Sequence, residues 1–521
     1  MKRMLLGIAL FAVAADSQGA AARVPHPFES AAEIAAADPI DTHVLATLRT
    51  HGIKPANLCS DGLFLRRVYL DVIGTLPTAA EARTFLRNGS PNKRAALIDA
   101  LLKRDEFADY WTLKWCDLLR VKAEFPINLW PNAVQAYRRW IHDALKENRP
   151  YDQFARALLT SSGSNFRVPE VNFYRGMQDR KPAGMAEAAA LTFMGTRMAK
   201  WPEDRQAGMT AIFSRVLCKG TAEWKEQIVC LDPSKTDPLE AVLPDGTTLR
   251  VKPFEDPRRA FADWLIRPEN PWFARNIVNR VWAWLLGRGI IHEPDDIRPD
   301  NPPVHPEGLV YLEKELVKAN YDLHHIFRLI LSSRTYQQSP IPRSGHPKAE
   351  AMFAHYPVRR LGAEVLIDAL CQITGTAERY QSPIPEPFTF IPEHRRSIAL
   401  ADGSITSPFL EMFGRPSRDT GLESERNNNP SARQRLHLLN SSHIQRKIEQ
   451  GPKLSRLIAA GPSKPKTTAV QLYLTILSRY PTEEELATVK QYSRDEETRG
   501  EKAFIDLTWA LINSSEFLYR H

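Results

Sequence analysis

The amino-acid sequence predicts a mainly α-helical protein, in which two helical domains pack together with a small β-hairpin insert between them. Its 521 residues are too many for one hydrophobic core. Apolar residues recur at helical spacing along most of the chain, whereas one short region alternates apolar and polar residues as a strand does. We therefore expect an N-terminal helical domain at residues 23–218, the insert at 219–256 and a C-terminal helical domain at 257–521.

Residues 1–22 have the organisation of a secretory signal peptide. Lys2 and Arg3 precede an apolar run at residues 4–15, and three alanines at 20–22 provide small residues for cleavage. The run is too short to cross a bilayer and no other segment is long and apolar enough, so no transmembrane segment is expected. The sequence thus predicts export to the periplasm or the extracellular space.

Capping residues mark the starts of several predicted helices. Thr78 and Thr482 each precede a glutamate at the third helical position, the pattern of a capping box. Ser90 and Pro91 predict a helix start before residues 92–107. Apolar spacing predicts further helices at about residues 108–121, 131–147, 152–160, 184–198, 204–217, 258–267, 272–286, 306–319, 322–333, 360–374, 431–449, 467–477 and 500–514.

A helix near residue 70 carries Arg66, Arg67 and Asp71. We expect an ordinary ion pair along its surface, because arginine and aspartate about one turn apart commonly pair within a helix.

The strand region lies between the two helical parts. Residues 227–231 and 241–251 flank the turn Asp245-Gly246, which predicts a hairpin. Cys218 and Cys230 lie close in sequence and could form a disulfide in an oxidising compartment, although a free buried thiol is the commoner state.

Composition and charge exclude some classes of protein. The chain has 43% hydrophobic and 25% charged residues, as ordinary globular proteins do. Its formal net charge of +8 is spread along the sequence without a basic stripe or a reading motif. We therefore expect no nucleic-acid partner.

Hydrogen-bonding chemistry is concentrated at residues 415–435, here called the polar loop. A long polar segment within a helical domain predicts a binding site or disorder. Glu423 and Glu425 beside Arg426 are the candidate catalytic residues, an acid and a base with a cation to position an anionic group. The candidate binding residues of the loop are Arg415, Arg418, Asp419, Asn427 and Asn428. The alternative is structural, with buried Arg–Glu pairs and Asn turns that satisfy the loop itself.

A second polar group contains Asp295, Asp296 and Arg298, which we take as further candidate binding residues. His305 and Glu307 follow closely, but the surrounding prolines and the absence of helical histidine spacing give no support to a metal site. If this group shares a cleft with the polar loop, a binding site is favoured. If the two segments lie apart, a structural role for each loop is favoured.

Several segments together resemble one family of exported planctomycete proteins, whose two paired domains have no established activity and often accompany cytochrome c domains. Residues 64–71 (FLRRVYLD) are similar to the opening of the first domain, the domain of unknown function 1549. Residues 278–282 (VNRVW), 295–307 (DDIRPDNPPVHPE), 331–336 (LSSRTY) and 438–441 (LLNS) are similar to the partner domain, the domain of unknown function 1553.

The chain departs from this family pattern at two places. Relatives carry cysteines and a histidine where this chain has residues 198–202 (MAKWP), and cysteines where it has Leu422 and Ser424. Covalent haem requires such thiols and an axial histidine, so we expect no haem and no other cofactor.

The resemblance therefore implies architecture and location more than chemistry. We expect an exported binding or scaffold protein of the cell envelope, with other exported proteins or a glycan as partner. The alternatives are an enzyme that acts on a polysaccharide or anionic glycan through the loop carboxylates, and an accessory to an electron-transfer system.

Overall fold

The computed structural model describes residues 27–30, 32–124 and 129–521, so the predicted signal peptide lies outside the described residues. It confirms a mainly α-helical fold. The helices are α1 Pro39–Thr50, α2 Asp61–Val72, α3 Ala79–Arg87, α4 Lys93–Leu102, α5 Asp105–Leu118, α6 Pro131–Lys146, α7 Tyr151–Thr160, α8 Asn172–Arg175, α9 Pro182–Met194, α10 Glu203–Phe213, α11 Pro257–Leu265, α12 Phe273–Leu286, α13 Pro306–Lys318, α14 Leu323–Ser332, α15 Ala363–Thr374, α16 Pro408–Met412, α17 Ala432–Asn440, α18 Ser442–Gln450, α19 Pro452–Ala459, α20 Pro465–Ile476, α21 Glu483–Tyr492, α22 Glu501–Ile512 and α23 Ser515–Leu518.

Seven short strands accompany the helices in the described part of the chain. They are β1 Gly163–Ser164, β2 Val216–Gly220, β3 Gln227–Leu231, β4 Leu239–Val242, β5 Thr248–Val251, β6 Arg359–Arg360 and β7 Tyr519–Arg520. The predicted hairpin is β4 with β5, and its turn contains Gly246 at φ +93°, where an L residue would be strained.

Residues 227–231 do not join that hairpin. β3 instead pairs antiparallel with β2 and β1 in a separate three-stranded sheet. In this register Cys218 lies opposite Val229, while Leu217 lies opposite Cys230. Because successive side chains point to opposite faces of a strand, the two thiols face apart, and both cysteines are free.

Two predicted helices are each divided in the structure. Within the helix predicted at residues 92–107, α4 ends at Leu102 and a second helix, α5, begins at Asp105. Residues 431–449 break at Ser441, whose side chain accepts a hydrogen bond from the Ile444 amide and caps α18. In this second case a cap inside an apolar pattern determines the break, which periodicity alone does not reveal.

The buried apolar side chains form one connected core, from Ile40 in α1 to Phe517 in α23. The capping boxes predicted at Thr78 and Thr482 are both present. No helix among the described residues is long and apolar enough to cross a membrane.

The helix α2 is more deeply buried than the sequence suggested. Arg66 and Arg67 do not pair along its surface, because both are buried and donate to main-chain carbonyl oxygens of distant segments. Arg66 donates to the carbonyl oxygens of Ile476 at 2.7 Å and Phe517 at 2.9 Å. Asp71 accepts from Arg520 at 2.6 Å, so α2 is fixed to the last strand.

Candidate functional site

The polar loop leaves α16 and enters α17, with a 3-10 turn at Glu423–Glu425 between them. Three of its arginines point into the protein. The side chains of Arg418, Arg415 and Arg426 are 0%, 4% and 7% exposed. Burying three guanidinium groups requires partners, because an unpaired charge inside a protein is strongly destabilising.

The first partner is Asp117, near the end of α5. Its Oδ1 accepts from Arg418 Nε at 2.9 Å, and its Oδ2 accepts from Arg426 Nη2 at 2.6 Å. One carboxylate therefore joins two arginines of the loop to a helix in the first third of the chain. The side chain of Asp117 is 14% exposed, so these pairs are only weakly screened by solvent.

The second partner is Glu364, in the first turn of α15. Arg426 donates to its two carboxylate oxygens at 2.6 and 3.1 Å, and Arg415 Nε lies 3.7 Å away. Burial by itself would raise the pKa of Glu364, but the guanidinium of Arg426 outweighs it and holds this pKa at about 2. Glu364 is therefore ionised at any physiological pH.

We call Asp117, Glu364, Arg415, Arg418 and Arg426 the charge network. Three positive groups face two carboxylates, and main-chain carbonyl oxygens bind further guanidinium N–H groups. Arg418 donates to Val121 O at 2.9 Å, and Arg415 donates to Asp402 O at 3.2 Å. Burial lowers the pKa of Arg415 to about 10, which leaves it charged at neutral pH.

The second polar segment meets the polar loop at one point. Asp295 is buried and accepts from Arg280 Nη2 at 2.6 Å. Its other oxygen accepts from the amide of Glu423 at 2.6 Å. Asp296 and Arg298 lie further out and pair with each other at 3.0 Å. The predicted residues of the two segments are thus neighbours, joined through a buried carboxylate.

The candidate catalytic carboxylates both accept hydrogen bonds from other groups of the protein. Glu423 Oε2 accepts from the indole N–H of Trp284 at 3.0 Å. Glu425 accepts from the amide of Asp419 at 2.9 Å and from the Thr420 hydroxyl at 3.1 Å, and it also accepts from Ser417. Glu425 therefore stabilises the turn at residues 417–420.

The remaining loop residues are held through their main chain or at the surface. Arg360 donates to the carbonyl oxygens of Asn427 at 3.3 Å and Asn428 at 3.1 Å. Asp419 pairs with Lys122 at 2.8 Å. The side chain of Asn427 is exposed, and its Oδ1 accepts from the Asn429 amide at 3.0 Å.

A cavity of about 300 Å³ lies between α3, α15, α19 and α20. Its lining residues are Pro77, Thr78, Ala79, Ala80, Gln372, Ile373, Lys453, Gln471 and Thr475, none of which belongs to the polar loop. Within the described part of the chain, no group of three or more His, Cys, Asp or Glu side chains is arranged so that all of them could hold one metal ion.

Sequence reasoning did not identify Asp117, Glu364 and Trp284 as partners of the loop. Each lies in an apolar helix distant in sequence from the residues that it contacts. For Asp117 and Glu364 the available signal was the carboxylate itself, because a charged residue on the apolar side of a helix is rarely buried without a partner.

Two family models match the chain. Residues 39–208 match PSCyt2, a protein of unknown function (DUF1549), and residues 257–493 match PSD1, a protein of unknown function (DUF1553). No curated protein matches the sequence. No solved structure matches it either. The charge network joins the two matched regions, since Asp117 lies in the first, and Glu364 and the loop arginines lie in the second.

Proposed function

We propose that this chain, which carries the paired domains DUF1549 and DUF1553, is an exported binding or scaffold protein of the cell envelope. Its two helical domains, at residues 23–218 and 257–521 with the β insert between them, would act as one unit. The charge network supports this arrangement, because Arg418 and Arg426 of one domain share Asp117 of the other. A rigid pair of domains presents a fixed surface to a partner.

The observation that carries the binding proposal is an aromatic patch, in which the exposed rings of Trp224 and Phe388 contact the buried ring of Trp130. Trp130 lies 4.7 Å from Trp224 and 5.7 Å from Phe388 between ring centroids. Trp224 is 57% and Phe388 49% exposed, and Phe390 on the same loop is 75% exposed. Lys225 lies 5.7 Å from the centroids of both tryptophan rings.

The patch fits a protein partner. Large aromatic rings that remain in water mark interaction sites, and tryptophan is enriched among the residues that dominate binding energy. The patch also combines separate parts of the chain. Trp224 lies in the turn between β2 and β3, whereas Phe388 lies in a proline-rich loop before α16. We propose another exported protein as the occupant, with a glycan as the competing outcome.

The test compares two variants for retention of a partner. Trp224→Ala combined with Phe388→Ala should lose a protein that co-purifies with the wild-type chain from the exported fraction of its host. Phe254→Ala is the matched control, because this ring is 81% exposed outside the patch. If the double variant and the control retain the co-purifying protein equally, the patch is not the binding surface. If the wild type binds a purified polysaccharide and the loss of Trp224 abolishes that binding, the ligand is a glycan.

An enzyme that acts on polysaccharide or anionic glycan is the alternative proposal. It needs Glu423 or Glu425 as acid or base, with Arg426 to hold an anionic group. The structure supports it less, since Glu425 bonds the adjacent turn and Arg426 is committed to Asp117 and Glu364. This alternative would be established if the wild type turns over a glycan in a screen of substrates and Glu425→Gln abolishes that activity. An electron-transfer accessory role would require a haem absorbance band in the purified protein.

A further inference from the structure

Two histidines meet at the junction between α17 and α18. His437 lies in the last turn of α17, and His443 lies in the first turn of α18. The chain turns between them at Ser441, whose extended backbone (φ −75°, ψ 139°) ends one helix and begins the next. This turn places His437 Nε2 and His443 Nδ1 at 3.4 Å from each other.

We propose that His437 and His443 bind a divalent transition-metal ion of the Zn²⁺ or Cu²⁺ class. Neutral imidazole is a preferred ligand of both ions. The two nitrogens belong to different helices, so a bound ion would fix α17 against α18.

The separation of the two nitrogens agrees with chelation. Ligands at about 2.0–2.1 Å from a tetrahedral Zn²⁺ lie about 3.3–3.4 Å apart. The observed 3.4 Å is longer than the roughly 2.7–3.2 Å of a typical hydrogen bond from an N–H group. The two rings are inclined by 58°, and both are partly exposed, which leaves solvent water able to complete the coordination.

A carboxylate orients one of the ligands. Glu378 is 8% exposed, and its Oε2 lies 3.0 Å from His443 Nε2. When His443 donates its Nε2–H to Glu378, the lone pair is placed on Nδ1, the atom that faces His437. Carboxylate–histidine pairs of this kind commonly orient metal-binding imidazoles and raise their basicity.

Glu378 itself is not proposed as a ligand. Its Oε2 also lies 3.3 Å from Lys447 Nζ, and this ammonium group opposes a second cation at the same oxygen. The site therefore has two protein nitrogens and a positioning carboxylate. Such a site should follow the usual order of affinity, with Cu²⁺ above Zn²⁺ and with little affinity for Mg²⁺.

The test is a titration of the full-length chain, free of any histidine tag, with Cu²⁺, Zn²⁺ and Mg²⁺ alone. The wild type should bind one Cu²⁺ in addition to any background binding by its 14 histidines. His437→Asn and His443→Asn should each weaken this binding at least about 10-fold, and Glu378→Gln should weaken it by about 10–100-fold while retaining both nitrogens. His51→Asn, at an exposed histidine elsewhere, is the control and should bind as the wild type does.

Electron paramagnetic resonance of the Cu²⁺ complex separates this site from background binding. The wild-type spectrum should show coupling to two imidazole nitrogens, and each single histidine variant should show coupling to one. Circular dichroism verifies that the variants remain folded. Equal Cu²⁺ affinity in the wild type and in the His437→Asn His443→Asn double variant would overturn the proposal.

Discussion

Asp117 accepts hydrogen bonds from two buried guanidinium groups of the polar loop. Without the charge of Asp117, the charge network keeps one carboxylate, that of Glu364, for its three buried arginines. We expect Asp117→Asn to lower the free energy of unfolding by about 3–5 kcal/mol, the usual cost of breaking a buried ion pair.

Urea denaturation measures this loss, and α5 provides the matched control. Asp105 in the same helix has a side chain that is 78% exposed and pairs with Lys146 at the surface. Asp105→Asn should change stability by no more than about 1 kcal/mol. If the two variants lose similar amounts, the charge network does not stabilise the fold.

The lowered pKa of Glu364 predicts that the free energy of unfolding falls at acid pH. Its pKa is about 2 in the folded protein, against an ordinary value of 4.5, because Arg426 favours the ionised form. A lowered pKa contributes stability that is fully present above pH 4.5 and is lost as the pH falls toward 2. Unfolding free energies measured across this window should decline less in Glu364→Gln than in the wild type. An identical slope in the two proteins would show that Glu364 does not carry the effect.

The polar loop depends, as an element, on one close approach between backbone segments. Gly414 has φ +83°, and a Cβ at this position would lie 1.7 Å from the carbonyl oxygen of Asn427. Asn427 donates its amide to Gly414 O at 3.2 Å, so the loop begins and closes at the same place. Only glycine permits this contact without displacement of the backbone.

Gly414→Ala should therefore detach the loop. We expect trypsin to cleave at Arg418 or Arg426 in this variant, under conditions where these buried arginines resist cleavage in the wild type. Mass spectrometry of the fragments identifies the cut. Gly89→Ala is the control, because a Cβ there would meet no heavy atom within 4 Å. Cleavage of the wild type at Arg418 or Arg426 as fast as in Gly414→Ala would contradict the packing of these two arginines.

At the scale of the whole molecule, α2 connects the first part of the chain with its last residues. Asp71 accepts from Arg520 at 2.6 Å and from the hydroxyls of Tyr336 at 2.8 Å and Tyr356 at 2.9 Å. Arg67 lies 3.6 Å from the centroid of the Tyr356 ring. Because these contacts join distant parts of the sequence, we expect the structure to unfold as one cooperative unit.

Arg520→Met should consequently destabilise the entire molecule, and not only its final strand. The substitution leaves Asp71 buried without its closest cation, for which we expect a loss of about 3–5 kcal/mol. Thermal unfolding followed by circular dichroism and by tryptophan fluorescence should shift together to a lower temperature. Arg499→Met, at an exposed arginine, should leave the transition unchanged. Fraying of β7 alone, with an unchanged main transition, would argue against this role.

Local patterns in the sequence determined the helical class, the capping boxes at Thr78 and Thr482, and the β4–β5 hairpin. They also carried the family resemblance, which the matches at residues 39–208 and 257–493 confirm. These features depend on residues near each other in the chain, so periodicity, caps and turn residues reveal them. The same reasoning located the polar loop, but it could not assign the roles of its charges.

Tertiary structure alone decided which residues the loop contacts. Asp117 and Glu364 meet Arg426 from helices that are far away in sequence, and the meeting of His437 with His443 depends on a helix break at Ser441. A charged group inside a protein must find a counter-charge in space, and nothing in the local pattern specifies which distant carboxylate it will be. The sequence therefore shows where the charges are concentrated, and the packing of the helices determines whether they bind a partner or one another.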